Sequence, residues 1–251
     1  MFYFLLIAVV FANVSLFAVD IHVPLSRLGK HGDGGYHLPT TWLNNQTSLH
    51  MISAGVSDDT SFEEAVFALF ANCTVDLIDF SVTEPSFARN NNAVTFYPDK
   101  LSDSKTLANY ERDKTLLLKV DIEGAEFDVF EHERVDFLRS VDVLVTEFHM
   151  WSPPRSNGDM MTDQELAVMA KLKEIFYLAH VHVNVWGRHC LRVSKSSEFS
   201  VQALWEYLFI NKKLIDDEYN VKEDVRWRHG YTLDTDEDTL PGYSFPNCAH
   251  D

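Results

Sequence analysis

Apolar residues along this chain gather in short runs, and most of these runs stop at a polar or acidic residue. The most continuous is Leu116–Val120, LLLKV, which predicts a central strand buried on both faces. It ends at Asp121, Glu123 and Gly124, and residues 125–130 predict the start of a helix. The same succession recurs along the chain. Ser48–Ala54 predicts a strand that stops at Gly55, residues 57–61 supply N-cap candidates, and residues 62–70 carry apolar positions at helical spacing. Residues 76–80 predict the next strand, with Asp79 near its end, and residues 93–97 a third. Residues 101–112 read as an irregular loop and helix. Residues 141–148 form another apolar run, ending in the polar Glu147 and His149. Residues 162–176 predict a helix opened by a capping box from Thr162 to Glu165. Residues 180–185 alternate strictly, placing His180, His182 and Asn184 on one strand face, and residues 205–210 give a final strand.

Strands alternating with helices, with polar residues at successive strand ends, predict a doubly wound α/β sheet. Such sheets bind ligands at the carboxyl ends of their strands, so Asp121 and Glu123 stand in a functional position. Either acid could instead cap the following helix. The turn from Gly55 to Asp59 keeps one glycine of the usual dinucleotide run, and Asp79 lies roughly 20 residues on, where an acid takes ribose hydroxyls. A nucleoside without a pyrophosphate needs less of an anion cradle, which tilts the reading from NAD towards S-adenosylmethionine. Residues 27–39, with Gly32, Gly34 and Gly35 around Asp33, read as a turn region, either a hairpin turn or a ligand cradle.

Composition narrows the picture. The chain has 251 residues, 46% of them apolar, which suits one α/β domain over residues 19–233. A net charge of −17 and the absence of a basic run argue against nucleic acid as a partner. Residues 2–18 are apolar and end in small residues before Val19, the pattern of a cleaved secretory signal; an uncleaved membrane anchor is the alternative. Glycosylation acceptors at Asn45 and Asn72 agree with a secreted or lumenal protein that leaves the membrane once the signal is cleaved. Cys73, Cys190 and Cys248 permit at most one intramolecular disulfide. Residues 234–251 read as an acidic tail, extended or disordered. Among the 11 histidines, His180, His182 and His189 invite a metal, but no acid or cysteine at a short fixed offset completes a set, so no metal is expected. Neither a G-x-S-x-G nor a P-loop signature is present.

KVDIEGAEFDVF at residues 119–130 resembles the K-x-D-I-E-G-x-E signature of FkbM-type methyltransferases and the related methyltransferase-like family of animals. The resemblance extends to RLGKHGDGGYHLP (27–39), AGVSDDTSFE (54–63), LVTEFH (144–149), HVHVNVWG (180–187) and LFINKKL (208–214). It implies a class I methyltransferase fold, a seven-stranded sheet ordered 3-2-1-4-5-7-6 with its last strand antiparallel. It further implies that Gly55, Ser57 and Asp59 line the methionine side of S-adenosylmethionine, that Asp79 binds the ribose, and that Asp121 sits beside the sulfonium with Glu123 close by. The glycine-poor first turn departs from that pattern.

The expected activity is methyl transfer to a hydroxyl of a small-molecule or glycan acceptor, with Asp121, Glu123 or His149 as the base. Trp42, Trp151 and Trp186 are candidates for stacking on a sugar or flat ring. One rival is a catalytically inactive secreted binding protein of the same fold. Another is a metal-dependent lumenal glycosyltransferase using Asp58 and Asp59, or Asp121 and Glu123, as an ion-binding pair.

Overall fold

Apolar runs bounded by turns become strands here, and the amphipathic segments between them pack on the two sheet faces. The computed structural model describes residues 19–31, 34–112, 116–149, 162–183, 190–192, 200–202 and 204–215. The expected signal at 1–18, the tail at 234–251, and Trp151, Asn184, Trp186, His189 and Cys248 lie outside the described residues. In chain order the elements are β1 (Leu25–Leu28), β2 (Tyr36–Pro39), α1 (Thr40–Asn45), β3 (Ser48–Ala54), α2 (Ser61–Leu69), β4 (Asn72–Ile78), α3 (Ser86–Arg89) and β5 (Val94–Tyr97). They continue with β6 (Leu116–Val120), α4 (Glu126–His132), α5 (Val135–Ser140), β7 (Val143–His149), α6 (Asp163–Ile175), β8 (Phe176–Val183), β9 (Cys190–Arg192), β10 (Ser200–Gln202) and β11 (Leu204–Asn211).

Seven strands form one sheet in the order β5-β4-β3-β6-β7-β11-β8. Counted along the chain from β3, that order reads 3-2-1-4-5-7-6. The first five strands run parallel, and β11 is antiparallel to both β7 and β8. All five β6 residues are buried, as the unbroken apolar run predicts for a strand covered on both faces. One face packs Ile52, Leu118, Leu144 and Phe148 against Phe130, Phe137 and Met169 of the helices. The other packs Met51, Val75, Leu117 and Val145 against Trp42, Phe62, Val66 and Leu38. Trp42 is thus a core residue rather than a stacking platform.

Several boundaries differ from the sequence-based expectation. The strand expected at 76–80 runs over Asn72–Ile78, because Asn72, Cys73 and Thr74 pair with Ser48, Leu49 and His50 of β3 despite their polarity. Asp79 and Phe80 therefore lie in the loop beyond the strand. Residues 27–39 are no mere turn: β1 and β2 pair antiparallel from Leu25 opposite Pro39 to Leu28 opposite Tyr36. Phe176, Tyr177 and Leu178, expected in the last helical turn or its connection, belong to β8, which begins directly after α6. An apolar run of that length satisfies either period, and pairing with β11 decides it. Asn45 and Asn72 are exposed, and Cys73 is buried. No described helix is long and apolar enough to cross a membrane.

The sheet changes direction of winding between β3 and β6, and the chain is drawn tight there. The Asp121 amide donates to the Ala54 carbonyl (2.9 Å) and the Gly55 amide to the Ile78 carbonyl (2.9 Å). Gly55 has φ +78°, and a Cβ on it would stand 1.5 Å from the Asp121 carbonyl oxygen. Gly55→Ala should therefore lower stability by about 3 kcal/mol or more, read by denaturant unfolding, since backbone on both sides must move.

Candidate functional site

The end of β6 carries the centre of the site. Lys119, 5% exposed, sends its amine to the Gly55 carbonyl, 3.5 Å from Asp121 Oδ2 and 5.4 Å above the centre of the Tyr36 ring. Burial opposes its charge, but the carboxylates of Asp121, Glu63 and Glu147 outweigh that and hold its pKa above the usual lysine value. Tyr36, brought over by the β1–β2 hairpin, donates its hydroxyl to Asp121 Oδ2 (2.6 Å). Burial, and then the negative charge of Asp121, push the phenol well above its ordinary pKa, so it remains a donor.

The turn after β6 is shaped by two consecutive left-handed residues, Glu123 (φ +57°) and Gly124 (φ +99°). Neither Asp121 nor Glu123 caps α4. No side chain caps the helix; Glu126, fully buried at its first position, ties down the turn before it, its Oε1 accepting from the amides of Ile122 (2.9 Å) and Gly124 (3.1 Å). The same oxygen accepts from His149 Nδ1 (2.9 Å), tying the end of β7 to the end of β6. His149 Nε2 faces Glu147 Oε1 at 3.3 Å and Glu123 Oε2 at 3.4 Å. Burial works against a charged ring, but the bond to Glu126 and the charges of Glu126, Glu147 and Asp121 prevail and raise its pKa to about 9. At neutral pH His149 is thus an imidazolium, and a role as base requires it first to lose a proton. Beside it opens a cavity of about 140 Å³ lined by Gly124, Phe127, Asp128, His149, Thr162, Gln164 and Glu165.

The structure therefore gathers Asp121, Glu123 and His149, with one ligand atom from each within 4.8 Å of the others. That set has the oxygen and nitrogen donors of a metal site; the sequence offers Asp121 and Glu123 as an alternative ion-binding pair, but residue spacing does not indicate His149, which arrives from β7. His180 and His182, the pair that did invite a metal, instead pack with His37, whose ring centre lies 4.7 Å from that of His180.

The second half of the predicted site lies at the ends of β3 and β4. Asp79 Oδ2 accepts from the amides of Val56 and Ser57 (3.0 Å each), and Oδ1 from the Ser81 amide and hydroxyl (2.7 Å each). Burial raises its pKa, but these bonds to Ser81, Ser57 and Val56 outweigh it, and the net shift is downward. Asp79 thus folds the loop that carries Ser57. Asp59 turns to the hairpin, pairing with Lys30 Nζ (2.8 Å) and accepting from the Ser61 amide (3.0 Å). Next to Asp79, Phe80 exposes 61% of its surface, with Lys100 Nζ 5.3 Å from its ring centre. Sequence reasoning singled out neither Phe80 nor Glu126, Lys119 and Tyr36, although Lys119 and Glu126 are the outer letters of the 119–126 motif.

With this geometry in place, the family described as Methyltransferase FkbM domain matches residues 30–183, more than half of the chain. The chain belongs to the FkbM methyltransferase family. The FkbM match runs from the β1–β2 turn to the end of β8 and contains Tyr36, Gly55, Asp79, Asp121, Glu126 and His149. Three solved structures are similar to parts of this chain. A precorrin-6y C5,15-methyltransferase from Geobacter metallireducens GS-15 is 14% identical, with 68% of this chain and 84% of that one covered and a TM-score of 0.38. A fibrillarin pre-rRNA processing protein from Methanococcus jannaschii is 9% identical (66% and 66% covered, TM-score 0.39). A putative methyltransferase from Thermoplasma acidophilum is 10% identical (66% and 70% covered, TM-score 0.34). No curated protein sequence matches this FkbM-family chain.

Asp79→Asn should destabilise the chain by roughly 1–3 kcal/mol, because an amide nitrogen then faces backbone donors. Asp79 has a depressed folded-state pKa, so its contribution is present above the unfolded carboxylate pKa and lost as pH falls through the folded value. Unfolding curves from neutral pH down to about pH 3 should show the gap between wild type and variant narrowing with acidity.

Proposed function

We propose that this chain is an S-adenosylmethionine-dependent methyltransferase acting on a hydroxyl of a small-molecule or glycan acceptor in the secretory pathway. The observation that carries the reading is Asp121: in a chain of the FkbM family it stands at the carboxyl edge of β6, beside the point where the winding reverses, with Glu123 and His149 drawn up to it. S-Adenosylmethionine supplies a methyl group carried on a positively charged sulfur. The residues present fit that group. Asp121, Glu123, Glu126 and Glu147 lie against Lys119 and His149, an acid-rich edge suited to a cationic ligand. The exposed ring of Phe80 offers a flat apolar platform for a base next to the loop that Asp79 organises.

In this reading Lys119 and Tyr36 hold Asp121 in place, and Glu126 holds the turn and the His149 ring. The proton leaving the acceptor hydroxyl goes to Asp121 or Glu123, since His149 already carries a proton at neutral pH. The cavity beside His149 gives an acceptor a place to enter next to these groups. The apolar stretch at 2–18 and the exposed acceptors Asn45 and Asn72 support the secretory assignment.

One observation favours a second reading, a catalytically inactive binding protein. Asp79 accepts four hydrogen bonds from its own chain, about the capacity of a carboxylate, which leaves little for ribose hydroxyls.

Calorimetric titration with S-adenosylmethionine separates the two. The first reading expects roughly micromolar binding, weakened about three- to tenfold in Phe80→Ala through lost stacking, and an Asp121→Asn variant that still binds but turns over far more slowly. A folded wild-type chain that takes up no S-adenosylmethionine would establish the second.

A further inference from the structure

We propose that Asp121, Glu123 and His149 form a binding site for a divalent cation at the carboxyl edge of β6 and β7. The proposal concerns the ion alone and does not rest on the methyl-transfer reading. Donors around one ion at ~2.1–2.4 Å lie no farther than about 4.8 Å apart, and one ligand atom from each of these residues meets that limit. Two carboxylates and one imidazole bring a formal charge of about −2, which a divalent ion neutralises.

The way His149 is held is an independent sign of a ligand. Metal-binding histidines commonly donate their other ring nitrogen to a carboxylate, which sets the ring's orientation and directs the remaining nitrogen at the ion. His149 Nδ1 donates to Glu126 Oε1 (2.9 Å), and Glu126 is itself fixed by the Ile122 and Gly124 amides. The ring is 4% exposed, so its orientation is set by packing as well. Nε2 consequently points at Glu123 Oε2 (3.4 Å), where an ion would take the place of a ring proton. Glu147, 4% exposed with Oε1 3.3 Å from Nε2, adds a further buried negative charge on the same side.

Glu123 completes the arrangement. Its side chain is 84% exposed, and its Oε2 stands 3.4 Å from His149 Nε2. Three protein ligands leave coordination positions open on an ion, and the cavity lined by Gly124 and His149 lies beside the site. Mixed oxygen and nitrogen donors suit a first-row ion, and Mn2+ is the probe of choice.

The test is calorimetric titration of chelator-treated protein with Mn2+, with thermal unfolding measured in the same samples. Wild type should bind one ion per chain and unfold at a higher temperature in its presence. Glu123→Gln, at an exposed position where folding is preserved, should bind at least tenfold more weakly and lose the thermal shift. His149→Gln should abolish binding, and circular dichroism reports whether that variant folds; the exposed Glu123 variant decides the matter if it does not. Failure of Mn2+ to bind wild type, or equal affinity in Glu123→Gln, overturns the site. A parallel S-adenosylmethionine titration without metal keeps the outcomes apart, since donor binding without Mn2+ binding rejects the ion alone.

Discussion

The Glu126 carboxylate, buried without access to solvent, accepts from two amides of the β6–α4 turn and from the ring of His149 at the end of β7. A buried carboxylate is tolerated only when its lone pairs are filled, so these contacts depend on one another. The turn holds its two left-handed residues because Glu126 accepts from its amides, and His149 keeps its place because Glu126 accepts from its ring N–H. Asp121 and Glu123 occupy the same turn. The placement of His149 relative to the turn that carries Asp121 and Glu123 thus follows from one fully buried side chain.

Lys119 does comparable work one step earlier in the strand. Its amine joins the Gly55 carbonyl to Asp121, while the Gly55 backbone lies against the Asp121 carbonyl where no Cβ fits. The β3 loop and the β6 end are thereby closed onto each other at the reversal of winding, where an open α/β sheet forms its ligand crevice. Tyr36 adds a third connection from the hairpin, its hydroxyl reaching Asp121 across 85 positions of sequence. Loss of charge at Lys119 would leave Glu63, Asp121 and Glu147 without the cation that offsets their mutual repulsion.

Much of this fold is readable from the chain because its strands announce themselves locally. Leu116–Val120 is apolar throughout and is buried throughout, and the capping box at Thr162 and Glu165 starts α6 where expected. The misplacements occur where local signals conflict with pairing. Asn72, Cys73 and Thr74 carry no strand signature and are drawn into β4 by the β3 ladder. At the site, Asp121 and Glu123 stand out because acids interrupt an apolar pattern. Glu126 also interrupts it, but nothing local says that its partner is His149, since such a bond exists only once β6 and β7 lie side by side. Asp79 shows another side of the same limit. An acid at the expected distance from a glycine turn reads as a ribose ligand, and no local pattern announces that its carboxylate also accepts from Val56, Ser57 and Ser81.

Four carboxylates, Asp121, Glu123, Glu126 and Glu147, crowd around Lys119 and His149 at one edge of the sheet. Concentrating negative charge where water is scarce is costly, and the cost is uneven: Glu126 is repaid by backbone amides, Glu147 faces the imidazole, and Glu123 stays mostly in solvent. A fold that needed only stability would do as well with apolar residues at several of these positions. The surplus therefore argues for a ligand of positive charge. A sulfonium and a divalent ion both meet that description, and they differ in what they ask of the protein. A sulfonium has no directional donors to satisfy and is served by field alone, so any acid at this edge contributes to it. An ion needs ligand atoms converging at short distance on one point, and here only the Asp121, Glu123 and His149 grouping converges among the described residues. The broad acidity of the edge and the local convergence at Asp121 are thus separate properties, and each speaks for its own ligand.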